Sequence, residues 1–120
     1  MDQIIDPSSL EAGHIAYLRG IPAAVEALDM HGMADVVKLV PQADIVALTC
    51  ALTPETTGLM SAAAFAAMKP SSVFVNVARG KVADEAALIK TMEGNKIWAA
   101  ALDVTAEEPL PAASPLWTIP

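Results

Sequence analysis

The sequence predicts an α/β domain built on a parallel sheet with helices packed against it. Three short apolar runs carry this prediction, at residues 45–48, 73–77 and 97–102. None of them alternates with polar residues, which is typical of strands covered on both faces. Helix-like segments separate the runs, and strands alternating with helices in this way form parallel βαβ units with right-handed crossovers.

The connecting segments carry recognisable start and stop signals. Residues 33–40 place apolar side chains at helical spacing. The alanine-rich segment 61–68 is expected to be a helix capped by Ser61. Residues 84–92 are predicted to form an amphipathic helix. The segment 53–58 is rich in turn-forming residues and is expected to be a loop.

The two ends of the chain are less patterned. Ile4 and Ile5 would end a short strand at Asp6, and most of residues 7–32 carry no clear signal. The proline-rich tail from Glu107 onward is expected to be looped or extended. Two histidines, His14 and His31, lie in the first third, away from the predicted strand ends. They are expected to be surface or structural residues.

The length and composition of the chain limit the classes of partner that it is expected to bind. A chain of 120 residues suits one domain and is short for a complete two-domain enzyme. Its formal net charge of −7 disfavours nucleic acid and anionic membranes as partners. No long apolar run suggests a membrane span, and the N-terminus lacks the pattern of a signal peptide. The cytoplasm is therefore the expected compartment.

Two further features of composition bear on assembly and chemistry. The hydrophobic fraction is 54% and the charged fraction 18%, which indicates apolar surface meant for another domain or subunit, and a homodimer would use it. The single cysteine, Cys50, excludes an intramolecular disulfide and a multi-cysteine zinc site, so no metal is expected. Its place at the end of an apolar run favours a buried structural thiol over a nucleophile.

Polar residues follow each predicted strand. Thr49 follows the first, Asn76 and Arg79 end the second, and Asp103 follows the third. Because ligands of parallel α/β sheets bind beyond the carboxyl ends of the strands, these residues are expected to meet in one crevice.

Arg79 and Glu108 are the candidate catalytic residues. A guanidinium suits a carboxylate ligand, since its fork makes two charge-assisted hydrogen bonds. An ion pair of Arg79 with a structural acid, Asp84 or Glu85, is an equal alternative on spacing alone. Glu108 could orient a general acid. The alternative for Glu108 is a solvated acidic loop, because Glu107 precedes it.

Eight short motifs occur along the chain in a fixed order, and together they give a specific resemblance to one family. They are ADIVAL at 43–48, LTPETTGL at 52–59, MKP at 68–70, VNVARG at 75–80, VADEAAL at 82–88, AALDV at 100–104, EEPL at 107–110 and SPLW at 114–117. The series is similar to the nucleotide-binding domain of the D-isomer-specific 2-hydroxyacid dehydrogenases and covers about two thirds of the chain. The resemblance implies a Rossmann-like parallel sheet and hydride transfer between a nicotinamide cofactor and a small 2-oxo or 2-hydroxy acid.

The resemblance also assigns residues. It implies that Arg79 binds the substrate carboxylate and polarises the 2-oxo group, and that Glu108 partners the catalytic histidine. It places Asp103 against the nicotinamide end of the cofactor. Segments containing Thr53, Val77 and Ala78 would line the cofactor cleft.

Asp6 would bind the adenosine ribose in the same family pattern, where an acid ends the second strand. A carboxylate there repels a 2′-phosphate, so NAD is expected rather than NADP.

The sequence departs from the family pattern at three places, one of which is the loop after residues 45–48, where Thr49 and Ala51 replace a common histidine and proline. The sequence also contains no Gly-x-Gly-x-x-Gly turn to hold a pyrophosphate, and no residue matches the catalytic histidine. Residues 1–120 are therefore expected to be a partial dinucleotide-binding domain that lacks the first strand and the glycine-rich turn, with the catalytic and substrate domain absent. The isolated chain is expected to be inactive. The alternative is a non-catalytic module that binds a partner or a small carboxylic acid through its crevice.

Overall fold

A three-stranded parallel sheet organises the protein in a computed structural model that describes residues 32–120. The strands are β1 (Ile45–Leu48), β2 (Val73–Asn76) and β3 (Ala99–Leu102), in the order β1-β2-β3. The predicted parallel, Rossmann-like α/β fold is confirmed. The predictions for Asp6, His14 and His31 lie outside the described residues.

Three helices connect or precede the strands, as predicted. They are α1 (Val36–Leu39), α2 (Ala62–Ala67) and α3 (Glu85–Glu93). Short 3-10 turns extend α1 at both ends and form at Gly80–Val82 and Pro115–Trp117. No helix within residues 32–120 has the length and apolar character that crossing a membrane requires.

Side-chain caps fix where α2 and α3 begin. The Ser61 hydroxyl accepts a hydrogen bond from the Ala64 amide at 3.2 Å, as the sequence predicts. Asp84 is the corresponding cap of α3 rather than its first residue, since its Oδ1 accepts from the Ala87 amide at 3.0 Å. Each cap satisfies an amide that the first helical turn leaves without a partner.

The core lies on one face of the sheet, between the strands and helices α2 and α3. Phe74 from β2 and Phe65 from α2 are almost fully buried, and their rings meet edge to face with centroids 5.0 Å apart. Leu48 and Leu88 pack into the same cluster. This core holds the carboxyl ends of the strands in a fixed arrangement.

The expectation that the strands are covered on both faces is wrong for β1, an edge strand, whereas the outward-facing residues of β2 are half-buried. The strand order runs in one direction, so both right-handed crossovers place their helices on the same side of the sheet. Ile45, which faces the other side, is 66% exposed. Apolar composition alone did not distinguish one covered face from two.

Candidate functional site

The three strands end level with one another. The register pairs Leu48 with Asn76 and Asn76 with Leu102. Backbone hydrogen bonds continue one residue further, from the Val77 amide to the Leu48 carbonyl and from the Asp103 amide to the Asn76 carbonyl. The predicted cofactor residues Val77 and Asp103 therefore lie side by side on one rim, as expected for the carboxyl ends of parallel strands.

Asn76 shapes the turn that carries Arg79. The residue is 2% exposed. The amide nitrogen donates to the Arg79 carbonyl at 3.1 Å, and the amide oxygen accepts from the Ala78 N–H at 3.0 Å. Sequence reasoning noted Asn76 at a strand end and missed this role. The available signal was a single amide ending an otherwise apolar strand, which needs buried partners.

The Arg79 guanidinium is not engaged by either acid that the sequence offered as a structural partner. Asp84 caps α3, and Glu85 accepts a hydrogen bond from the Ala106 amide. The contact that Arg79 does make is from Nη1 to the Ala78 carbonyl, at 2.8 Å. Within residues 32–120 the ion pairs are Asp35–Lys38 and Asp44–Lys69. The exposed guanidinium fork is thus available to a ligand carboxylate.

A pocket of about 240 Å³ brings the two candidate catalytic residues together. Its lining residues are Leu52, Arg79, Gly80, Lys81, Thr105, Ala106 and Glu108. Two cationic side chains and one carboxylate make it a site suited to a small anion that also carries a polar group. Asp103, which the sequence predicts to meet Arg79 in one crevice, lies on the same rim but is not part of this lining. The chain turns after Asp103 and returns over Gly80 with residues 105–108.

The loop of residues 105–108 carries Glu108 into the pocket. Inside the loop the Thr105 amide donates to Oε1 of Glu108 at 3.1 Å, and the Thr105 hydroxyl donates to the Glu107 carbonyl at 2.7 Å. The Ala106 amide donates to Oε2 of Glu85 at 2.7 Å. Every residue of the loop with a role in the pocket is therefore held by hydrogen bonds.

Thr53, another predicted cofactor residue, lies in the turn that follows β1, and hydrogen bonds within the turn hold it in place. Its N–H donates to the hydroxyl of buried Thr56 at 2.8 Å, and that hydroxyl donates to the Ala51 carbonyl at 2.6 Å. The buried Thr56 hydroxyl thus links both ends of this turn, which backbone hydrogen bonds to the Thr53 carbonyl also hold.

A larger groove, of about 610 Å³, lies between α2 and α3 and is lined mainly by small apolar side chains. It also carries Lys90, Lys96 and Asp84, but the Asp84 carboxylate already caps α3. The candidate site lies at the rim instead, because ligands of parallel α/β sheets bind beyond the carboxyl ends of the strands.

The rim residues fit the nicotinamide half of a dinucleotide. Val77 presents an apolar side chain that is 52% exposed, and the exposed Asp103 carboxylate stands one strand away. An aromatic ring bearing a carboxamide needs these two groups, a flat apolar contact and a hydrogen-bond acceptor. Ala78, also predicted to face the cofactor, is 5% exposed.

The sheet and its rim define an α/β nucleotide-binding domain. The family model of the D-isomer specific 2-hydroxyacid dehydrogenase NAD binding domain matches residues 9–120. The chain belongs to this family.

Known relatives agree with that assignment. Glyoxylate/hydroxypyruvate reductase B of Citrobacter koseri is 49% identical over 86 residues, which is 72% of this chain and 26% of the relative. A D-isomer specific 2-hydroxyacid dehydrogenase from Xanthobacter autotrophicus, solved with NADPH and MES, superposes with a TM-score of 0.70 at 45% identity over 74% of this chain and 37% of that one. A relative from Lactobacillus delbrueckii, solved with NAD, gives a TM-score of 0.56 at 36% identity, over 58% and 21% of the two chains.

These comparisons confirm the predicted family and its nicotinamide cofactor class. Because one solved relative holds NADPH and another NAD, they carry no preference between the two. The predicted preference for NAD rests on Asp6, which lies outside the described residues, so it stays a prediction. The chain spans about a quarter of the length of the curated relative, 26%.

Proposed function

We propose that this chain supplies the nicotinamide-facing and substrate-facing rim of an NAD(P)-dependent oxidoreductase acting on small 2-hydroxy acids, with glyoxylate and hydroxypyruvate as the substrate class. The observation that carries the proposal is the shared pocket of Arg79 and Glu108 on the rim where Asp103 also lies. The name of the Citrobacter koseri relative supports the substrate class.

Each residue has a distinct task in this proposal. Arg79 binds the substrate carboxylate through its fork and withdraws charge from the 2-oxo oxygen. Thr53, Val77, Ala78 and Asp103 would hold the nicotinamide end of the cofactor, which when bound exchanges a hydride with the substrate. Glu108 orients a general acid contributed from outside residues 32–120, because a carboxylate fixes the tautomer and orientation of such a group.

Titration of the chain with oxalate, followed by NMR, tests the anion site. Wild type is expected to bind oxalate weakly, and Arg79→Lys should weaken binding by about tenfold because a lysine keeps the charge and loses the fork. Lys38→Gln is the matched control, since it removes a charge at an exposed side chain on α1 and should change nothing. Equal affinities for wild type and Arg79→Lys would refute the carboxylate site and favour a non-catalytic interaction module.

A turnover assay tests the completeness of the site. The 120-residue chain with NADH or NADPH and glyoxylate, hydroxypyruvate or pyruvate is expected to show negligible turnover. The reason is that general acid catalysis contributes on the order of 10² to 10⁴ in rate, and no described residue supplies that acid. The homodimer and the cytoplasmic location stay predictions.

A further inference from the structure

Glu85 makes a long-range contact that neither the fold nor the proposed reaction explains by itself. It is the first residue of α3, and its Oε2 accepts from the Ala106 amide at 2.7 Å. This distance is that of a charge-assisted hydrogen bond. The contact joins the helix to the loop of residues 105–108, which carries Glu108.

The helix side of this contact is firmly placed. The Asp84 amide donates to the Met60 carbonyl at 2.9 Å, and the Asp84 side chain caps α3. Ala87, Leu88 and Thr91 then bury one side of the helix. The Glu85 carboxylate is therefore an anchored acceptor, so its hydrogen bond restrains the loop rather than the helix.

The loop side has few other restraints. The hydrogen bonds of Thr105 to Glu108 and to Glu107 stay inside the loop, so they set its shape and leave its position open. Among the described residues, the Ala106 amide makes the hydrogen bond that ties this loop to another element. The second restraint is steric, because the Thr105 backbone lies directly against Gly80.

We propose that Glu85 is a positioning residue whose carboxylate holds the loop of residues 105–108, and with it the Glu108 carboxylate, against the turn that carries Arg79. The proposal rests on the proposed function for its consequence, which is the alignment of Arg79 and Glu108 in one pocket. Its structural part, the restraint on Ala106, stands without it. The competing view is that Glu85 serves only as a favourable acid in the first turn of α3.

Three variants separate these views. Glu85→Ala removes the acceptor, and Glu85→Gln keeps a neutral acceptor of the same length. Glu107→Ala is the matched control, because it removes an equal charge from the same loop while its side chain makes no hydrogen bond among the described residues. Solvent exchange of assigned amides by NMR is the first measurement, and oxalate affinity is the second.

The expected result is local and graded. In Glu85→Ala the Ala106 amide should exchange about tenfold faster, with Thr105 also accelerated, while amides in the middle of α3 change little. Glu85→Gln should recover part of the protection. Oxalate should bind about threefold to tenfold more weakly to Glu85→Ala, and within twofold of wild type to Glu107→Ala.

Two outcomes overturn the proposal. One is unchanged exchange at Ala106 in Glu85→Ala, and the other is faster exchange along α3 with equal effects of Ala and Gln, which is the signature of a helix-end role. If wild type fails to bind oxalate, the proposed function fails by its own test. The exchange of Ala106 and Thr105 then decides the role of Glu85 alone.

Discussion

Gly80 and Thr105 are in direct contact, with no room between them for a side chain. A methyl group built at residue 80 would overlap the carbonyl carbon and oxygen of Thr105 and the amide nitrogen of Ala106. Glycine is required here by space rather than by an unusual backbone angle. The contact holds the loop of residues 105–108, which carries Glu108, against Gly80, the residue that follows Arg79.

Gly80→Ala should therefore destabilise the domain. We expect the free energy of unfolding to fall by about 1–3 kcal/mol, because backbone atoms of residues 105–106 must move to admit the methyl group. Urea denaturation measures the change. Gly32→Ala is the control, since a methyl group there would have its nearest neighbour 4.0 Å away. Equal stability of the two variants would show that the loop moves aside at no cost.

Asn76→Ala should disrupt the turn of residues 77–79, because the Asn76 side chain bonds the backbone of Ala78 and of Arg79. The substitution leaves the buried Ala78 N–H without its acceptor, which costs about 1–3 kcal/mol, and removes one of two donors to the Arg79 carbonyl, the other being the Val82 amide. Oxalate affinity should fall as well, because Arg79 loses its fixed backbone. Gln42→Ala removes an exposed amide at the end of α1 and should change stability by less than about 0.5 kcal/mol. A stable Asn76→Ala with unaltered oxalate binding would contradict this role.

Thr56→Val tests the turn that presents Thr53. Valine keeps the shape of threonine and removes the hydroxyl that bonds the Ala51 carbonyl and the Thr53 amide. We expect a loss of about 1–3 kcal/mol in unfolding free energy, measured by thermal or urea denaturation. The matched variant is Thr57→Val, whose exposed hydroxyl bonds only the Thr53 carbonyl in the described structure and should cost less than about 0.5 kcal/mol. Similar losses in both variants would argue against a special role for the buried hydroxyl.

The Phe65 and Phe74 rings should be energetically coupled. Edge-to-face aromatic pairs contribute about 0.5–1.5 kcal/mol beyond their buried area. A double-mutant cycle with Phe65→Leu and Phe74→Leu, followed by urea denaturation, measures the coupling. Additivity of the two single changes to within about 0.3 kcal/mol would show that the ring geometry contributes nothing.

Local signals explain why much of the fold was predictable. The cap at Ser61, the loop at 53–58 and the three apolar runs depend on residues close in sequence, and each appears within two residues of where it was expected. The strand ends also predicted that Arg79 and Asp103 lie at one edge of the sheet, whereas Val77 was assigned through the family resemblance.

The missed features depend on contacts between distant segments. Spacing left Glu85 as a partner for Arg79, and its actual acceptor role involves Ala106, which is 21 residues away. The separation of Asp103 from the Arg79 pocket likewise follows from the path of the loop over Gly80. Such contacts are set by how crossovers pack, which no local pattern encodes.

The one-sided placement of α2 and α3 also sets a practical limit on how this protein can be trimmed. The opposite side of the sheet offers Ile45 and its neighbouring strand residues to whatever lies next to it. Any polypeptide that packed on that side, in the same molecule or another, would remove this apolar surface from water. A shortened protein that lacks such a covering segment would expose this apolar surface to water, and aggregation would then compete with folding.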